Sequence, residues 1–179
     1  MWSGPRNIST ALMRSWESRS DTFVIDEPFY AHYLSATNVD HPGRDEIVQS
    51  GETDQSVVSK GLISDIDDSC SIYFQKHMTH HMIPSVDRDW MKDVVNCFLI
   101  RNPKDMILSY TKVNSNLSMH LLGLEEQYEL FAGKMLDYGK GNISVGSNLE
   151  TEEETHVAMT GLWFRINDKI QRLKQLVLL

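Results

Sequence analysis

The chain has 179 residues, and 41% of them are hydrophobic and 23% charged, which is ordinary for a folded domain and excludes wholesale disorder. With 25 Asp+Glu against 17 Lys+Arg the formal charge is −8, so broad electrostatic attachment to nucleic acid or to an anionic membrane is excluded as the main business of the surface. No apolar run approaches the ~20 residues of a membrane span, and the two cysteines, Cys70 and Cys97, support neither a disulfide framework nor a thiolate zinc cluster. These features predict one cytoplasmic domain over 1–179, without membrane or nucleic-acid partners. Oligomeric state is left open.

The chain opens on Met1-Trp2, a strand remnant, and turns at Ser3-Gly4-Pro5 into Arg6-Asn7-Ile8-Ser9-Thr10. Ser9 or Thr10 suits the start of a helix that carries Ala11, Leu12, Ser15 and Trp16 at three-to-four spacing. Thr22 to Asp26 reads as a short buried strand ended by Glu27-Pro28. Residues 36–56, rich in Asn, Asp, Gly, Ser and His, read as loop or irregular helix. Ile72 to His77 is a second strand. Val94 to Ile100 is the clearest strand, apolar except for Asn96, as suits a strand covered on both faces. Pro103 then fits the first turn of a helix with Met106, Ile107 and Tyr110 on one side, and further helices are predicted near 124–137 and 154–177. Strands alternating with helices indicate an α/β fold with a mainly parallel sheet.

Two segments carry chemistry. A helix N-terminus presents unpaired N–H groups and the positive end of its dipole, so the turn Gly4 to Thr10 is a candidate anion loop. Arg6 adds a planar donor fork, and Ser9 and Thr10 add hydroxyls. A full phosphate loop would continue Gly-Lys-Ser/Thr after four residues, and here that Gly-Lys is missing. A capped helix with a surface arginine explains the segment equally well. In the second segment, Arg101 lies just past the end of the clearest strand and Ser109 two turns into the next helix. That edge of an α/β sheet is where ligands bind, and the two side chains can converge on one phosphate. An ion pair for Arg101 and a surface position for Ser109 is the competing reading.

Taken together, Pro5-Arg6-Asn7-Ile8-Ser9-Thr10-Ala11-Leu12 resembles the 5′-phosphosulfate loop of sulfotransferases, and Leu99 to Tyr110 resembles their 3′-phosphate motif. The opening Trp2–Met13, with Asp26-Glu27-Pro28-Phe29-Tyr30-Ala31 and Gln75-Lys76-His77-Met78, is similar to a sulfotransferase-like subgroup sometimes labelled branched-chain-aminotransferase-like; the likeness runs over about 2–139. It implies a three-layer P-loop fold of sulfotransferase type, cut short at both ends, with a divergent helical segment over 140–179. It also implies 3′-phosphoadenosine 5′-phosphosulfate as cosubstrate, no metal, and sulfuryl transfer to a small acceptor hydroxyl or amine.

On that likeness Gly4, Arg6, Asn7, Ser9, Thr10, Arg101 and Ser109 hold the cosubstrate, with Arg6 meeting the charge on the leaving oxygens. The acceptor needs a base, and Glu27 and His77 are the candidates, with Glu27 favoured for its rigid place before Pro28. His77, His80 and His81 lack the Cys or Asp partners of a zinc site and read as a histidine cluster.

Three departures qualify the implied activity. Ile8 stands where the family loop has glycine, only two residues precede Ser3, and after Lys140 the family's strand and basic segment give way to Glu150–Glu154. An inactive nucleotide-binding or interaction domain of the same fold is therefore the alternative, and an NTPase a third. The short start also predicts that the loop-bearing strand, placed between the strands at 22–26 and 94–100, leaves its neighbours unpaired and the isolated chain poorly soluble.

Overall fold

The computed structural model describes residues 1–114, 118–137 and 143–145. The chain runs β1 (Trp2–Ser3), α1 (Ser9–Glu17), β2 (Thr22–Asp26), α2 (Tyr30–Thr37), α3 (Arg44–Ser50), α4 (Gln55–Leu62) and β3 (Ile72–Met78). Two 3-10 turns follow, Thr79–His81 and Asp89–Asp93, and then β4 (Asn96–Leu99), α5 (Pro103–Tyr110), α6 (Met119–Leu122), α7 (Leu124–Asp137) and β5 (Ile143–Val145). Among the described residues the five strands form one all-parallel sheet in the order β2-β3-β1-β4-β5.

Side-chain alternation along β3 sorts the layers. Phe74 stacks on Trp16 of α1, with ring centroids 5.3 Å apart. On the opposite face Gln75 donates to the Leu62 carbonyl at the end of α4, and His77 lies against Trp2 and Trp90. The sheet is therefore covered on both sides. The main core gathers Trp2, Phe29, Leu62, Trp90, Phe98 and Phe131 on the α4 side.

Asn96, the one polar residue of the strand signal, is fully buried and fully used. Its amide donates to the carbonyls of Met91 and Val94 at 2.9 and 3.0 Å, and its oxygen accepts the Trp2 indole N–H at 2.9 Å. This ties the two-residue β1 to β4 through side chains as well as backbone.

Several expectations need correction. The segment 36–56 contains the end of α2, all of α3 and the start of α4. Gly43 turns into α3 at φ 74°, Asp45 and Glu46 lie in its first turn, and Asp54 caps α4 by accepting the Ser56 amide. These helices are short and mostly polar, so periodicity gives them little signal. The strand expected at 94–100 is limited to Asn96–Leu99, and a strand, β5, follows Lys140. The helix expected at 154–177 lies outside the described residues. The loop-bearing strand does sit mid-sheet, but between β3 and β4; β2 is one place further out. Trp2 pairs with His77 and Phe98, and Ser3 with Met78 and Leu99. No helix among the described residues is long and apolar enough to cross a membrane.

Candidate functional site

Strand register builds the site. Ser3 is level with Leu99 in adjacent parallel strands, so the segments that leave them, Gly4–Ile8 and Ile100–Asn102, emerge side by side at the carboxyl edge. There the two sequence motifs meet. The Arg6 Nε donates to the Ser109 hydroxyl at 3.0 Å across 103 positions of chain, and the Arg101 guanidinium donates to the Arg6 carbonyl at 2.8 Å. Among the described residues neither arginine has a carboxylate within ion-pair distance. Two guanidinium groups therefore share one patch on a chain of net charge −8. With the N-terminus of α1 beside them, the patch is suited to a multiply charged anion.

The loop holds this shape at a conformational cost. Arg6 and Ile8 have φ of 63° and 64°, in the left-handed region that disfavours branched residues, and Ile8 is the residue that opens α1. A glycine adopts that conformation freely, so this is the position where the family loop's glycine would carry least strain. Ile8→Gly is expected to relieve about 1–2 kcal/mol of strain, offset by about 0.5–1 kcal/mol of added chain entropy. The result is a slightly more stable protein with a more open loop. Chemical denaturation checks this, and a loss of stability in Ile8→Gly counts against it.

The other predicted residues divide by placement. Ser9 is buried in the first helical turn and Thr10 is exposed. Asn7 is buried beneath the loop, its amide 3.4 Å from the Leu99 carbonyl, which also accepts from Gln127 at 3.0 Å; it anchors the loop to β4. Gly4 is required by protein, since a Cβ there would stand 2.6 Å from the Leu122 carbonyl. The crowding on this side of the loop comes from α6.

Glu27 is not a free carboxylate. It sits at φ 48° beyond β2 and takes an ion pair from the Lys76 ammonium at 2.5 Å, while Asp26 takes a second at 2.6 Å. Lys76 is almost wholly buried; burial pulls its pKa down, but the two carboxylates outweigh it and hold it above the usual lysine range.

His77 lies in the core, 3% exposed, stacked on Trp2 at 4.4 Å, with Nε2 3.3 Å from the Gln75 amide oxygen. Burial, then the nearby Met1 amino group, then Lys76, hold its pKa well below the ordinary 6.5. It is neutral at physiological pH and almost wholly buried. The structure thus brings Arg6, Arg101 and Ser109 together and leaves both candidate bases engaged elsewhere.

A network that the motifs did not disclose lies on the same edge. His81 stacks between Tyr30 and Tyr33 at 4.8 and 4.9 Å, and His80 meets His81 edge to face at 4.5 Å. The Tyr33 hydroxyl bonds to the His120 Nε2 at 3.1 Å, and the His120 Nδ1 to Glu126 at 2.6 Å. The residues come from α2, the turn after β3, α6 and α7. The sequence signal for it is the histidine cluster of His80 and His81; Tyr30, Tyr33, His120 and Glu126 carry none.

Comparison with known proteins agrees with this geometry. The family profile of the sulfotransferase domain matches residues 1–139, which include β1 to β4, the anion loop and the Arg101–Ser109 segment. Branched-chain-amino-acid aminotransferase-like proteins 2 and 1 of Arabidopsis thaliana are each 35% identical over 131 residues, 73% of this chain but 23% of theirs. The chain thus spans under a quarter of the length of these relatives. No solved structure matches it. A profile that covers most of the chain, on a parallel α/β sheet whose paired arginines meet at the carboxyl edge, places this chain in the sulfotransferase domain family.

Proposed function

We propose that the chain binds 3′-phosphoadenosine 5′-phosphosulfate and transfers its sulfuryl group to the hydroxyl or amine of a small acceptor. The observation that carries this reading is the convergence of Arg6 and Arg101, from the ends of adjacent strands, with Ser109 of α5, and among the described residues no carboxylate lies within ion-pair distance of either arginine. The donor is a compact polyanion, and the arrangement supplies what such a ligand needs: two fixed cations, a hydroxyl and a helix N-terminus. By the family likeness Arg101 and Ser109 take the 3′-phosphate and Arg6 the charge that grows on the leaving oxygens as the S–O bond breaks.

Titration calorimetry with adenosine 3′,5′-bisphosphate tests it. The intact chain is expected to bind, and Arg101→Ala to weaken binding by about 10- to 100-fold, the worth of a charge-assisted pair. Arg101→Lys is expected to recover only part of the loss, because a point charge does not replace a fork. An intact chain that ignores the bisphosphate removes the reading. A second reading, a nucleotide-binding domain without turnover, draws on Ile8, whose exposed side chain stands in the loop at a left-handed position suited to glycine. Binding of the bisphosphate with no sulfate transferred to any acceptor would favour it.

A further inference from the structure

Sulfuryl transfer to a hydroxyl needs a group to take the acceptor's proton, and neither base suggested by the sequence is free to do so. Glu27 is paired with buried Lys76, and His77 is enclosed by Trp2, Phe29 and Trp90. His120 differs from both. Its side chain is 48% exposed, and its Nδ1 is held 2.6 Å from the Glu126 carboxylate. A carboxylate on one ring nitrogen fixes the imidazole and leaves the other as the basic one. That other nitrogen, Nε2, is the one bonded to the Tyr33 hydroxyl at 3.1 Å. Burial holds the Tyr33 phenol above its ordinary pKa, so it stays protonated and presents its hydrogen to Nε2.

Position links His120 to the anion loop. It lies on α6, whose Leu122 carbonyl occupies the space beside Gly4. The next carbonyl, that of Gly123, accepts the Thr79 hydroxyl at 2.6 Å, and the same hydroxyl lies 3.4 Å from the Ser3 carbonyl at the root of the loop. The helix that carries His120 is thus clamped to the start of the loop that carries Arg6. The groups facing the imidazole are Tyr33 from α2, His80 from the turn after β3, with ring centroids 6.2 Å apart, and Glu126 from α7. His80, held down to about 4 first by burial and then by His120, is neutral and adds no opposing charge at physiological pH.

We propose that His120, oriented by Glu126, is the general base of this site and that an acceptor hydroxyl takes the place of the Tyr33 phenol on Nε2. The proposal rests on the sulfuryl-transfer reading above. In the step, the acceptor oxygen bonds to sulfur and the S–O bond to the 5′-phosphate breaks, its electron pair leaving on the phosphate oxygen. The acceptor's proton passes to Nε2, while the Nδ1 proton stays on the ring and is donated to the Glu126 carboxylate, which steadies the imidazolium.

Water can serve as acceptor in the test, so no natural acceptor has to be known. Release of labelled sulfate from 3′-phosphoadenosine 5′-phosphosulfate is followed alongside calorimetric binding of adenosine 3′,5′-bisphosphate. His120→Gln is expected to slow release by about 100- to 10,000-fold. Its binding of the bisphosphate should stay within about threefold of the intact chain. Glu126→Gln, which keeps a hydrogen-bond acceptor but removes the charge, is expected to slow release at least about tenfold with bisphosphate binding within about threefold of the intact chain, and Glu126→Asp to recover part of the rate.

Release at the intact rate in His120→Gln overturns the proposal. So does an unaltered rate in Glu126→Gln, a readout that stands even if His120→Gln does not fold. If the intact chain binds the bisphosphate but releases no sulfate, the base assignment falls and the donor site stands. If it does not bind, the sulfuryl-transfer reading itself falls.

Discussion

Acidification from about pH 7.5 to about pH 5 is expected to unfold this domain cooperatively, well above the range in which most carboxylates protonate. The cause is a set of buried neutral bases. His77 and His81 are held well below their ordinary 6.5, in both cases chiefly by burial, and His80 is held down to about 4, also chiefly by burial. Neighbouring groups that would have to share the site with a second positive charge add to this: the Met1 amine and Lys76 for His77, and Lys76 and the adjoining imidazoles for His81.

The unfolded chain takes up protons on these rings as the pH drops below 6.5, whereas the folded chain does not until the pH is far lower. Stability is therefore whole above 6.5 and lost as the pH falls toward the folded values. Each ring costs up to about 1.4 kcal/mol per pH unit, so within two units the three together approach the roughly 5–15 kcal/mol that holds a typical domain. The α-amino group of Met1 acts with the same sign in a higher window. Burial lowers it from 8.0 to about 6, so stability also declines between pH 8 and 6. Urea midpoints at pH 8, 6.5 and 5.5 measure the effect. A midpoint that stays level across this series would show that the rings are hydrated in the folded chain.

What was legible in the sequence follows the range over which each signal acts. The strands at 22–26 and 72–77 and the helices α1, α5 and α7 depend on local periodicity, and their elements appear close to the expected positions. The likeness of the two arginine segments placed Arg6, Arg101 and Ser109 at one site, and the register of Ser3 on Leu99 explains how they meet.

Other features needed contacts far apart in sequence. Nothing near Glu27 announces that Lys76, 49 positions on, takes its carboxylate, because that pairing follows from β2 lying beside β3. Gly4 looks like a ligand-loop glycine until the Leu122 carbonyl is found beside it. The interruption at Asn96 gains meaning only once Trp2 donates to it across 94 positions. His120 carries no motif, and its role emerges from Tyr33 and Glu126 converging from two other helices.

Extending the chain by about five apolar residues before Met1 is expected to raise the melting temperature by roughly 10 °C. Below Met1, β3 and β4 no longer have β1 between them. They border a cleft of about 560 Å³ whose lining includes Trp16, Leu62, Ile72, Phe74, Trp90 and Val94. The backbone already points into it as a strand would. The Met1 amino group donates to the Gln75 carbonyl at 2.7 Å, and the Met1 carbonyl accepts from the His77 amide at 2.9 Å, both at ladder positions.

Residues added in extended form continue that register toward Tyr73 on one side and Asn96 on the other. Each new ladder bond is worth about 1 kcal/mol. Converting the buried amine to an amide keeps its hydrogen bond and removes a desolvation cost of about 1–3 kcal/mol between pH 7 and 6. Apolar side chains in the cleft add burial at about 25 cal/mol per Å². A total near 4 kcal/mol corresponds to about 8–16 °C for a chain of this length. The amide cannot titrate, so the decline in stability between pH 8 and 6 should also flatten, a signature that general stickiness would not produce. A Gly-Ser extension of equal length gives the amide but little burial and should recover the pH effect with only part of the temperature gain. If the apolar extension leaves both the melting temperature and the pH 8-to-6 slope unchanged, the cleft is not a strand site and two residues suffice for the centre of this sheet.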